Sequence, residues 1–183
     1  MQFSGKVEFG KLQNALDKMH FAITISNLSA PDQPLVYFNP AFQTLTGATA
    51  EHLGQNCRFL QGDTENDAAR AEIRTALTEK RPTLVVLKNV HQQSGELFHN
   101  LLMLEHVGVY ENAPELAVGT QFGLLPEELN DMDLPDGQVR HSVVAQVADT
   151  ILRTRLQRRR IASDTAVRLL QSWSIMAAQP GPA

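Results

Sequence analysis

The order in which apolar spacing changes along this chain constrains its fold more than any single residue does. From Val7 to His20, Phe9, Leu12, Leu16 and Met19 recur at intervals of three and four, the period of an amphipathic helix. From Phe21 the pattern changes to short strand-like runs, Phe21 to Ser26 and Leu35 to Asn39, with the turn-forming Ala30 to Pro34 between them. Helical signals then return: Pro40 suits a first helical turn, Gly47 a helix end, and Thr49 with His52 and Leu53 another start. Thr64, followed by Glu65 and Asp67, reads as the N-cap of a longer helix running through Ile73 and Leu77 to Lys80, with Arg81-Pro82 ending it. Three more strand-like runs follow, Thr83 to Val90, Glu96 to Tyr110 and Glu115 to Phe122.

Two strands, a helical block and three strands describe an α+β domain, a five-stranded antiparallel sheet with helices on one face. Sheet and helices would enclose the natural pocket. After it, the acidic stretch Pro126 to Gly137 reads as a linker. Val139, Val143, Val147, Ile151 and Leu152 then mark one face of a helix ending near Arg158-Arg159-Arg160, and Ser163 or Asp164 is expected to start a second helix carrying Val167, Leu170, Trp173 and Ala177. The expected organisation is an N-terminal cap helix (1–20), a core (21–125), an acidic linker (126–137) and a C-terminal helical extension (138–183).

With 183 residues, 43% hydrophobic and 20% charged, the chain has the composition of one ordinary folded domain with extensions. No apolar run is long enough to span a bilayer and the N-terminus lacks an apolar signal region, so a cytoplasmic protein without membrane contact is expected. A net charge of −4 gives no general attraction for nucleic acid. The single cysteine, Cys57, excludes an intrachain disulfide and any multi-thiolate metal site, and no metal is expected.

Cys57 lies between Asn56 and Arg58. A neighbouring cation can favour thiolate, whereas a free cysteine is as often a small core residue; the local residues leave both readings open. The surrounding string Gly54-Gln55-Asn56-Cys57-Arg58-Phe59-Leu60-Gln61-Gly62 resembles the GxNCRFLQG signature of the light-oxygen-voltage (LOV) subfamily of PAS domains. Asn39-Pro40-Ala41-Phe42 with Leu45-Thr46-Gly47 resembles that family's NxAFxxLTG segment, Ile73-Arg74 follows the cysteine at the family's distance, and Asn89, Asn100 and Gln121 match three further positions. The resemblance covers about Ile23 to Gln121 and is to the short bacterial members without a fused effector.

The resemblance implies a PAS/LOV fold binding flavin mononucleotide (FMN). Arg58 and Arg74 would hold the phosphate through charge-assisted hydrogen bonds, with Gln61 and Asn56 on phosphate or ribityl oxygens. Asn89, Asn100 and Gln121 would meet the polar edge of the isoalloxazine ring, and Leu60 and Leu102 would sandwich its faces. It further implies a blue-light photoreceptor rather than an enzyme. Light would join the Cys57 sulfur to the flavin C4a carbon, and darkness would reverse the bond. Gln121 would be the switch, rotating its amide as N5 changes from acceptor to donor and biasing the C-terminal helices.

The chain departs from the family at Val90 and His99, which replace aromatic residues, and at Phe122-Gly123-Leu124 after Gln121. His99 is expected on the outward side of its strand. The apolar stripes of the N- and C-terminal helices need cover, from the sheet or from a second copy, and a light-sensitive homodimer is the expected assembly. The downstream partner is left open. Two alternatives stand beside this reading. One is a light-regulated DNA-binding protein that uses Arg153, Arg155, Arg158, Arg159 and Arg160 in a small helix-turn-helix. The other is a flavin redox-sensing PAS module that uses no light.

Overall fold

The structure, a computed structural model, describes residues 6–107, 115–126, 128–129 and 143–178. Helix α1 (Lys6–Asp17) precedes strands β1 (Ala22–Asn27) and β2 (Leu35–Phe38). Helix α2 (Pro40–Thr46), two 3-10 turns (Ala50–His52 and Cys57–Gln61) and α3 (Asp67–Glu79) follow. Strands β3 (Thr83–Val90), β4 (Leu97–Val107) and β5 (Leu116–Leu124) complete the sheet, and α4 (Val143–Ala178) closes the chain. The strands lie in the order β2-β1-β5-β4-β3, antiparallel throughout. This is the five-stranded α+β architecture that the sequence predicts.

Because side chains alternate along a strand, each sheet face has its own cover. One face receives α2, the 3-10 turns and α3. On the other, Ile23, Ile25, Tyr37, Val107, Leu116 and Val118 pack with Leu12 and Leu16 of α1 and with Ala166, Val167, Leu170 and Trp173 of α4. Among the described residues, Leu12 and Leu16 of one terminal helix and Val167, Leu170 and Trp173 of the other thus find their cover on the sheet itself. Each fully buried Leu, Ile or Val among them contributes about 1.5–3 kcal/mol through removal of apolar surface from water.

Asn39 joins these layers. Its Oδ1 accepts from the Phe42 N–H at 3.0 Å, capping α2, and from the Ile23 N–H at 2.9 Å, while its Nδ2 donates to the carbonyls of Leu16 and Phe21. Gly47 ends α2 in a left-handed conformation (φ 70°), where a Cβ would lie 2.6 Å from the His91 ring, so the position needs glycine twice over.

Three sequence expectations are corrected. Helix α1 ends at Asp17 rather than His20, although Met19 still packs on the same core. Thr64 does not cap α3, which begins at Asp67 after Asn66. The Thr64 hydroxyl instead donates toward the carbonyls of Gln61 and Lys88, and the Asn66 amide bonds both backbone groups of Lys88, stitching this turn to β3. The two C-terminal helices are one continuous helix, α4. No Gly or Pro interrupts residues 143–178, and Ser163 faces the sheet, 2% exposed, instead of starting a helix. The turn required by the helix-turn-helix alternative is therefore missing. Most of the expected linker, 130–137, lies outside the described residues, as do the side chains of Phe9, Val143, Val147, Ile151, Leu152 and Ala177.

Candidate functional site

Between α3, the Cys57–Gln61 turn and the cavity face of β3, β4 and β5 lies a cavity of about 550 Å³, within the range of small-molecule sites. All ten residues singled out in the sequence line it. Asn56, Cys57, Arg58, Leu60 and Gln61 come from the 3-10 turn and its cap, and Arg74 from α3. Asn89, Asn100 with Leu102, and Gln121 come from β3, β4 and β5 respectively.

The sheet wall presents three amides that are 1%, 1% and 2% exposed at Asn89, Asn100 and Gln121. Asn100 Nδ2 donates to Gln121 Oε1 at 2.7 Å, and Gln121 Nε2 to Thr24 Oγ1 at 3.4 Å. The Oδ1 atoms of Asn89 and Asn100 have no protein partner. Leaving a buried carbonyl oxygen unpaired costs about 1–3 kcal/mol, and two such oxygens on residues that line one cavity point to a ligand with hydrogen-bonding capacity. Leu60 and Leu102 supply apolar walls, joined by Ile73, Leu87 and Leu104, which the sequence reading did not single out.

Arginines gather at the mouth. Asn56 Oδ1 accepts from the Arg58 N–H and Asn56 Nδ2 donates to the Asp32 carbonyl, while the Arg58 guanidinium pairs with the Asp32 carboxylate. Arg74 is exposed and makes no ion pair among the described residues. Arg70, also missed from sequence, lines the cavity and donates from Nε to Gln61 Oε1 at 2.5 Å, which fixes the Gln61 amide. Its place one turn before Arg74 on α3 was the available signal.

Cys57 packs against the buried cluster of Ala22, Phe42, Ala48 and Leu60. Burial pushes its thiol up to about 12, with a hydrogen bond involving the Gln121 amide acting weakly in the opposite sense. Of the two readings the local residues left open, the structure favours the neutral thiol: the Arg58 cation is engaged by Asp32, and burial holds the Cys57 proton. His99 lies opposite Lys88 on β4, on the face away from Asn100 and outside the cavity lining. Among the described residues no group of His, Cys, Asp and Glu is arranged to hold a metal, and no helix is long and apolar enough to cross a membrane.

No family model matches the chain. A blue-light photoreceptor of Listeria monocytogenes is 36% identical over 101 residues, which cover 55% of this chain and 40% of that protein. The crystal structure of the Rhodobacter sphaeroides LOV protein is 35% identical with a TM-score of 0.59, the match covering 91% of this chain and 96% of that one. An RNA-binding light-oxygen-voltage receptor is 38% identical with a TM-score of 0.58, over 62% of this chain and 32% of the other. The chain spans less than half the length of the curated relatives it first matches. Sheet order and a cavity between sheet and helices define a PAS-type domain. Within that class, the chain belongs to the light-oxygen-voltage (LOV) family.

Proposed function

We propose that this chain is a blue-light photoreceptor whose cavity holds flavin mononucleotide and whose reacting residue is Cys57. The observation that carries the reading is the convergence on one cavity of a half-buried neutral thiol and three buried sheet amides, two of them with unpartnered carbonyl oxygens. An unpaired asparagine oxygen suits the one N–H of an oxidised flavin ring, at N3, the leucine walls suit its faces, and the arginines at the mouth suit a phosphate. When bound, the flavin supplies absorption of blue light and an excited ring that accepts a thiol.

Cys57 needs no prior deprotonation in this scheme. Its Sγ closes a reversible covalent bond to the flavin C4a carbon, its proton passes to N5, and both return in the dark, so there is no net turnover. Gln121, whose amide reaches both Cys57 and Asn100, is the residue placed to respond to the new N–H by rotating. A homodimer formed through the terminal helices is the accompanying proposal, resting on the apolar stripe Val143, Val147 and Ile151 that the sequence places on one face of the last helix.

An absorption spectrum of the purified protein before and after blue illumination tests the reading, beside a Cys57→Ala variant. Structured flavin absorption that bleaches and recovers in the wild type but persists in the variant is expected. A colourless protein, or bleaching that survives the substitution, overturns it. Flavin absorption that light leaves unchanged favours the redox-sensing alternative.

A further inference from the structure

Gln121 and Phe122 are consecutive on β5, so one side chain enters the cavity while the other lies on the opposite face, toward α4. The Arg159 guanidinium of α4 sits 5.4 Å from the centroid of the Phe122 ring. That ring also stacks on Phe21, the two centroids 5.9 Å apart. The same guanidinium reaches Glu128 Oε1 at 3.1 Å and Oε2 at 3.3 Å, and Arg155 stands 3.5 Å from Oε1.

Glu128 is 3% exposed although it lies in the acidic stretch beyond the sheet. Its Oε2 accepts the Leu125 N–H at 3.0 Å, and its own N–H bonds the Leu125 carbonyl at 3.0 Å, which ties the carboxylate to the end of β5. Burial alone would raise this carboxyl, but the Leu125 N–H and the two arginines hold it below its ordinary value.

The basic run is not uniform. At 100° per residue, Arg155 and Arg159 lie about 40° apart on the helix face turned to the sheet, whereas Arg158 and Arg160 lie about 100° to either side of Arg159. Arg158 and Arg160 are exposed. Among the described residues, the pair spaced four apart is the one that meets the buried carboxylate.

We propose that Glu128, Arg159 and Phe122 form a latch that clamps α4 to the end of β5 and passes the state of Gln121 to that helix. This deepens, and its light trigger rests on, the photoreceptor reading above. A shift of β5 at Gln121 moves the Phe122 ring beneath the Arg159 cation. The guanidinium is then placed to keep either the ring or the carboxylate, and α4 loosens at this point. A buried ion pair adds little stability over an apolar pair of equal volume, but removing one partner is costly, so a substitution at Glu128 reads directly on how firmly α4 is held.

Hydrogen–deuterium exchange of α4 in the full chain, measured in the dark and under blue light together with the absorption spectrum, tests the latch. In Glu128→Gln, flavin absorption and bleaching are expected to match the wild type. Dark exchange around residues 153–163 should be faster by about tenfold or more, the loss that accompanies a broken buried ion pair, and further acceleration by light should disappear. Arg159→Lys, which keeps a cation beside Glu128, should retain the light response. Dark exchange in Glu128→Gln equal to the wild type, or a light response that persists undiminished in it, overturns the proposal. A wild-type protein that does not bleach removes light as the trigger, and the dark comparison still decides whether the latch holds α4.

Discussion

Asn100 donates from its side-chain amide to the Gln121 carbonyl oxygen at 2.7 Å across the β4–β5 pair, and its own carbonyl oxygen is left without a partner. Asn89, one strand further along, has an unpartnered carbonyl oxygen and no such bond to Gln121. The two asparagines are therefore chemically alike but structurally unequal.

That inequality predicts opposite effects on the ligand-free protein. Asn89→Leu removes an unpaired buried oxygen and should leave the melting temperature of the flavin-free protein unchanged or raised. Asn100→Leu strips Gln121 of its donor and should lower stability by about 1–3 kcal/mol. Both should weaken flavin retention, by about ten- to a hundredfold for each lost hydrogen bond inside the cavity. Thermal melts of the stripped protein and flavin titration followed by fluorescence check the two halves separately. Equal destabilisation by both substitutions would count against this account.

Burial pushes the Cys57 thiol up from 9.0 to about 12, and the thiolate population expected at pH 8 is then about a thousandfold below that of an unperturbed thiol. Alkylation by iodoacetamide in the dark should be slower in rough proportion and should climb about tenfold per pH unit above neutrality. A rate that levels off below pH 9 would show that the thiol is more acidic than its surroundings imply.

Glu105 on β4 faces α4, where burial first, and then the charge of Asp164, raise its carboxyl above the ordinary value of 4.5, the nearby Ser163 hydroxyl acting the other way. The unfolded chain thus loses this proton before the folded one does, and stability falls as pH rises above about 4.5. Glu105→Gln is expected to raise the melting temperature by a few degrees at pH 7 and to have little effect at pH 4, where the wild-type carboxyl is already neutral. Melting curves of the two proteins at both pH values decide it.

Much of this architecture is legible in the sequence because it rests on local signals. The period-two run Thr83–Val90 is a strand with those bounds, and Asn39, Pro40 and Gly47 fix α2 through cap geometry that involves neighbouring residues. The polar cavity residues are legible through a motif whose members are close in sequence or share a strand face. What was missed depends on partners far away along the chain. Thr64 is a sound N-cap by local chemistry, but Lys88 on β3 claims its hydroxyl. Ser163 and Asp164 resemble a helix start, yet uninterrupted helix formers and contact with the sheet carry α4 straight through them. Arg70 shows its role only once α3 is laid against the turn holding Gln61.

Helix α4 runs 36 residues without a break, about 54 Å, far longer than the strands it crosses. A rigid rod held between Arg159 and Trp173 behaves as a lever, and about 24 Å of it lies between Arg159 and Val143. A tilt of about 10° at the fulcrum would carry the far end by about 4 Å, the width of one side-chain contact. A displacement at β5 too small to disturb the sheet is thereby geared up into one large enough to make or break an interface.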